Sequence, residues 1–325
     1  MLINTTKNAL VDQYIKEGID LVIAKHDGAI AAYVGGSYAN DYSIPTSDID
    51  LYLFFDRDIN REKYEEIEAL NKNLNCSIDL DLIAYGLDQV KKVGMPSLNE
   101  SFLHVWGKDI SDEIPTPSIE NEAYRGMHGG YMRMSLTRKE KPYMFPLKYP
   151  VENQELKGYD WRDLKVNGKE VKSIKEVVVL TGWMCTGLVN WAGRRLVPTK
   201  KHAPSLFKEL FPGYISDAFE EVTHYCRNTF YYLVPTRKKD YKKLVSLLPN
   251  VLIIENFFLK KYQDFLIEYL LTNDPVRSNT SIVRLGEIIY PNDRSLKALE
   301  SFNPQNNRQE TNLVCSINAL RAHHK

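Results

Sequence analysis

"YVGGSYANDYSIPTSDIDLYLFF", residues 33–55, joins two patterns that seldom adjoin. A Gly-Gly-Ser turn at 35–37 closes one apolar run, and ten residues after Ser37 the sequence Asp48-Ile49-Asp50 opens another. In an extended strand alternate side chains share a face, so Asp48 and Asp50 point one way while Ile49, Leu51 and Leu53 point the other. The apolar face belongs to a core. Two carboxylates crowded on the opposite face repel each other and become tolerable when a cation neutralises them. Ligand oxygens alone favour Mg²⁺.

The arrangement recurs in "CSIDLDLIAY" (76–85), where Asp79 and Asp81 alternate with Ile78, Leu80 and Leu82. If the two strands pair, their acids converge on one metal-binding face. Gly35 and Gly36 let backbone come close to phosphate oxygens, and a helix starting at Ser37 would aim free N–H groups at an anion. A phosphate cradle beside metal-binding acids is what phosphoryl or nucleotidyl transfer requires.

Outward from this stretch, apolar residues at helical spacing over 6–25 predict a helix, and "GAIAAYV" a buried strand. "NREKYEEIEALNKNL" predicts a charged helix between the two acid-bearing strands, and "LNESFLHVWG" one more short helix. This is an α+β fold: a mixed sheet with flanking helices over 1–115, followed by a mainly α-helical bundle over 116–325. Prolines and acids in "KDISDEIPTPSIENE" mark the linker. "SIKEVVVLTGWMCTGLVNWAG" (173–193) is interrupted by polar residues and reads as a central bundle helix, not a membrane span. Further helices are expected near 215–232, 239–249, 251–272 and 310–323. The Pro- and Tyr-rich stretch 139–170 predicts an irregular insertion, with "VNGK" as a hairpin turn.

At 325 residues and 43% hydrophobic content the chain can bury a large core. Four scattered cysteines lack the close pairs of a zinc site and fit reduced thiols. No secretory signal opens the sequence, so a cytoplasmic location is expected. The net charge of zero hides an asymmetry: residues 1–115 hold 10 basic and 20 acidic side chains, the rest 32 and 22. Such a split suits two regions that attract each other or an anionic ligand held between them.

Gly36-Ser37, ten residues, then Asp48-Ile49-Asp50-Leu51 resembles the signature of the polymerase-beta-like nucleotidyltransferase superfamily. Within it the chain is most similar to aminoglycoside adenylyltransferases of the streptomycin/spectinomycin type. "WGKDISDEIP" and "VVVLTGWMCTGLVNWAGRRLVPTKKHA" resemble that group's linker and helical segment. The resemblance implies that Gly35, Gly36 and Ser37 hold the nucleotide phosphates and that Asp48 and Asp50, with Asp81, bind Mg²⁺. The family's third acid, which orients or deprotonates the acceptor hydroxyl, falls on Asp79 or Asp81. Lys200 matches the lysine that reaches the triphosphate, with Arg195 in the basic cluster beside it. A family arginine is replaced near Thr181 or Gly182.

The resemblance therefore implies an enzyme that moves a nucleoside monophosphate, AMP from ATP, to a hydroxyl of a small molecule such as an aminoglycoside-like antibiotic. Two alternatives stand beside it: a nucleotidyltransferase acting on a protein or tRNA, and a non-catalytic nucleotide-binding protein. Aminoglycosides are polycations and call for an acidic cleft, whereas the helical half is net basic, so a phosphorylated or nucleic-acid acceptor fits the charge better. Tyr131, Tyr143, Tyr149, Tyr159 and Trp161 either line an acceptor site or pack a loop.

Overall fold

A computed structural model of the chain describes all residues except 72, 73, 75, 96, 97, 167, 324 and 325, and leaves out the side chains of 99 and 100. The N-terminal sheet has strand order β3-β2-β1-β4, built from β1 (Ala29–Gly35), β2 (Ile49–Phe55), β3 (Leu80–Gly86) and β4 (Leu103–Gly107). β1 runs antiparallel to β2 and β4, and β2 runs parallel to β3. Alternation along β2 and β3 buries Leu51, Leu53, Leu80, Leu82 and Ala84. These side chains pack with Val11, Ile15, Ile19 and Val22 of α1 (Ala9–Lys25) and with Ile67 and Leu70 of α3 (Arg61–Leu70). Asn8 caps α1 by accepting from the Leu10 and Val11 N–H groups, satisfying donors the first turn leaves free.

Two expectations for this region change. Residues 76–79 are not part of β3, because the ladder begins at Ile49 opposite Leu80 and no partner strand precedes it. Asp79 instead accepts the Ile49 N–H through its carbonyl. "LNESFLHVWG" divides into a one-turn helix, Leu98–Ser101, and the edge strand β4. So short an apolar run does not distinguish helix from strand, and the open edge of β1 decides the matter.

The helical half opens with α6 (Ile119–Thr137), after α2 (Gly36–Ala39), α4 (Leu87–Val93) and α5 (Leu98–Ser101) of the first half. α6 packs along α7 (Lys175–Ala192), antiparallel to it, and the two cross at glycines. A methyl added at Gly187 would lie 2.7 Å from the Gly126 backbone, so only hydrogen at these positions allows the approach. α8 (Ala203–Leu210) and α9 (Tyr214–Thr223) follow, then α10 (Lys238–Leu270), α11 (Pro275–Gly286), α12 (Arg294–Glu300) and α13 (Asn307–His323). α10 is one helix where the sequence predicts two. Pro249 lacks the N–H of an interior position, yet Leu244, Leu247 and Leu248 before it and Val251 and Ile254 after it are buried in the same core, which carries the helix through. Among the described residues no helix is long and apolar enough to cross a membrane.

The stretch 139–170 is more ordered than its composition predicts. β5 (Tyr143–Met144) pairs with β8 (Ile288–Ile289), while β6 (Asp163–Val166) and β7 (Lys169–Lys172) form the hairpin expected around 166–169, whose residue 167 lies outside the described residues. Tyr131, Tyr143 and Tyr159 are buried in the helical core. All three side chains are spent on packing between the insertion and the helices. Arg138 makes two hydrogen bonds to buried Glu255 of α10, at 2.9 and 2.8 Å, and the Tyr159 hydroxyl donates to the same carboxylate. Glu255→Ala would strand the Arg138 charge, so it is expected to lower unfolding stability by about 3–5 kcal/mol. Thermal or urea melting of the variant checks this.

Candidate active site

Register brings the acids together. Asp50 lies opposite Asp81 in the parallel β2–β3 pair, and Asp48 stands one residue ahead of β2. Carboxylate oxygens of Asp48, Asp50 and Asp81 all lie within 4.8 Å of one another. Asp79 is not in this group and lines a separate surface cleft with Glu65, Glu68 and Lys165. The donor set is oxygen only and anionic, which suits a hard divalent cation.

Electrostatics show how strained the cluster is without one. Burial, reinforced by the charges of Asp48 and Asp81 and opposed by Lys200, pushes Asp50 up to about 6. Burial and Asp48 also raise Asp81. Burial acts to raise Asp48 too, but the Lys175 ammonium outweighs it and holds that carboxyl below the usual range. Lys175 donates to Asp48 Oδ2 at 2.6 Å, with only 9% of its side chain exposed.

The glycine turn stands against this cluster. Gly36 has φ +67°, and a Cβ placed there would sit 2.1 Å from Asp50 Oδ2. Position 36 therefore admits only glycine while Asp50 keeps its place. Gly35 pairs with Asp50 across the β1–β2 ladder and is crowded by Tyr52 and Phe102. The helix after the turn begins at Gly36, one residue earlier than expected, and lasts a single turn. Asn40 fixes it by donating to the carbonyls of Gly36 and Ser101 at 2.7 and 2.9 Å. Ser37 is half-buried, and its hydroxyl makes no hydrogen bond among the described residues.

Lys200 is exposed, and its charge acts on both Asp48 and Asp50. Arg195 is placed elsewhere: it pairs with Glu209 at 2.5 Å on the surface. Sequence reasoning missed Lys175. Its place depends on a contact 127 residues distant, and the only local sign was a lysine opening an otherwise apolar helix. The start of α7 is pinned from outside: Ile174 N–H donates to Tyr232 C=O at 2.7 Å, and Ser173 bridges Leu233. Tyr231 and Tyr232 hold φ values of +51° and +65°, strained for non-glycine residues. Thr46 donates to the Tyr231 carbonyl at 2.5 Å, and Arg227 donates to the Tyr42 carbonyl while stacking over its ring. The loop before Asp48 and the segment before α7 are thus both held by residues 227–233.

Residues 7–94 match the family model described as polymerase beta, nucleotidyltransferase. The chain carries a nucleotidyltransferase domain over that span. No curated protein matches the chain. Among solved structures it is similar to a toxin–antitoxin crystallised with AMP-PNP, at 20% identity and TM-score 0.24, over 31% of this chain and 77% of that one. It is also similar to spectinomycin adenyltransferase AAD(9) from Enterococcus faecialis with ATP and spectinomycin, at 12% identity and TM-score 0.39, over 73% of this chain and 98% of that one. Both likenesses are weak, and the assignment stands on the family match.

Two outcomes follow for the metal-free protein. With its folded pKa above the unfolded value, Asp50 makes the native state bind more protons than the unfolded state between about pH 4 and 6, so its stability contribution falls as pH rises through that window. Asp50→Asn should therefore raise Tm at pH 7 and leave it nearly unchanged at pH 4, as read by thermal melts in a metal chelator. Gly36→Ala should cost roughly 1–2 kcal/mol from left-handed backbone alone. By displacing the Asp50 carboxylate it should also weaken Mn²⁺ binding, measurable by electron paramagnetic resonance.

Proposed function

We propose that the protein transfers a nucleoside monophosphate, AMP from ATP, to a hydroxyl of a small-molecule acceptor and releases pyrophosphate. The observation that carries this reading is the close approach of the Gly36 turn to Asp50, which sets glycine backbone beside three converging carboxylates. Asp48, Asp50 and Asp81 would hold Mg²⁺, which when bound supplies charge neutralisation for the triphosphate and for the oxygens entering and leaving phosphorus. The backbone at Gly35–Gly36 and the Ser37 hydroxyl receive the phosphates. Lys200, whose charge already acts on the acids, offsets the negative charge that builds on pyrophosphate.

Asp81 is the most exposed of the three acids and sits at the side of the cluster open to an incoming hydroxyl. As an exposed carboxylate it would take the hydroxyl proton as the acceptor oxygen bonds to the α-phosphorus and the bond to the β-phosphate breaks. Lys175 keeps Asp48 ionised and correctly turned. Asp79 has no part in this reading, and Arg195 acts at most through the surface pair it makes.

The test is incubation of the protein and a cell extract with Mg²⁺ and each of four labelled nucleoside triphosphates, following pyrophosphate release and the labelled product. Asp50→Asn should reduce release by roughly 10²–10⁴-fold, and chelation of the metal should abolish it. Label recovered on a protein or RNA band would move the acceptor to a macromolecule. Unchanged release in Asp50→Asn would remove the proposal.

A further inference from the structure

One residue after Lys175, two further cationic side chains converge on the start of α7 and are only loosely spent. Arg133 of α6 and Arg162, just before β6, each place Nη1 3.9 Å from Glu176 Oε2. Glu176 is 1% exposed, yet neither of its oxygens accepts a hydrogen bond, and Arg133 Nε is likewise buried without a partner. Guanidinium and carboxylate groups in a sealed environment normally close to direct hydrogen bonds near 2.8 Å, since unmade bonds are costly there. Here one carboxylate stands midway behind two guanidinium groups and satisfies neither.

The seat is built into the fold. The antiparallel α6–α7 crossing at Gly126 and Gly187 brings Arg133 onto the first turn of α7, where Glu176 lies. Ser173, 1% exposed, donates through its hydroxyl to the Arg162 carbonyl and fixes that residue to the same turn. Arg133 and Arg162 keep 27% and 36% of their side chains exposed, whereas Glu176 beside them is buried. Arg162 acts on Asp81, opposing the rise that burial and Asp48 cause. Two positive groups against one negative leave a net positive charge beside the acid that faces the acceptor.

We infer that Arg133 and Arg162 hold an oxyanionic group, phosphate or carboxylate, on the hydroxyl-bearing acceptor. This rests on the nucleotidyl-transfer reading and deepens it by assigning the acceptor's charge. Paired guanidinium forks match an oxyanion with bidentate hydrogen bonds. A polycationic acceptor would meet them as like charges. Arg125 is tied to Glu122 through Nε and Nη2, the latter at 2.5 Å, and lies near Trp183.

The experiment titrates inorganic phosphate, and separately acetate, calorimetrically into the full chain saturated with Mg²⁺ and a non-hydrolysable ATP analogue, which fills the nucleotide's own phosphate positions. Saturable binding of either anion is expected, weakened at least about tenfold by Arg133→Gln and by Arg162→Gln, the loss of one charge-assisted hydrogen bond, and unchanged by Arg125→Gln. The preferred anion tells phosphate from carboxylate. Should a glutamine variant unfold, Arg133→Lys and Arg162→Lys keep the charge, lose the fork and should still weaken binding. Absence of anion binding, or equal affinity in the variants that fold, overturns the inference. Failure of the ATP analogue to bind while arginine-dependent anion binding persists strikes the nucleotidyl-transfer reading alone.

Discussion

Mutual repulsion of Asp48, Asp50 and Asp81 is the constraint around which the rest of the molecule is arranged. The sheet imposes it: parallel pairing of β2 with β3 sets Asp50 beside Asp81, and the apolar residues that alternate with them are committed to the core on the opposite face. A one-residue slip would turn every one of those side chains over. The cluster therefore persists because the hydrophobic pattern leaves the strands no other register. Relief comes from outside the sheet, from Lys175 on α7 and from Lys200 before α8.

That division explains what the sequence reveals and what it hides. The acids and the glycine turn are legible because they obey local rules, a period of two along a strand and a backbone conformation that only glycine accepts with Asp50 alongside. The choice between Asp79 and Asp81 needs to know where the ladder starts, which depends on β2 and cannot be read within residues 76–85. β4 was invisible for a related reason: its five residues become a strand by adding to an edge that the sequence does not display. Lys175, Arg133 and Arg162 obey no local rule. They gather at the first turn of α7, Lys175 on Asp48 and the two arginines on Glu176, through contacts that join residues far apart in the chain.

The charge asymmetry between the two halves acquires a structural meaning. The excess of acid in the first 115 residues includes the triad, and the excess of base in the remainder includes Lys175, Lys200 and Arg162, whose charges act on it. The opposed surfaces are not fully neutralised by one another. Lys175 closes on Asp48, but Arg133 and Arg162 share a single buried carboxylate. Positive charge left over in this way favours ligands that carry several negative charges.

Because Lys175 and any cation at the triad both draw on the carboxylate of Asp48, filling the centre and seating the helical half are thermodynamically linked. Reciprocity requires that whatever factor ligand occupancy changes the grip of α7 on the sheet, that grip changes ligand affinity by the same factor. A single ion pair, 2.6 Å long, thus makes the relative position of the two halves a variable of the binding equilibrium.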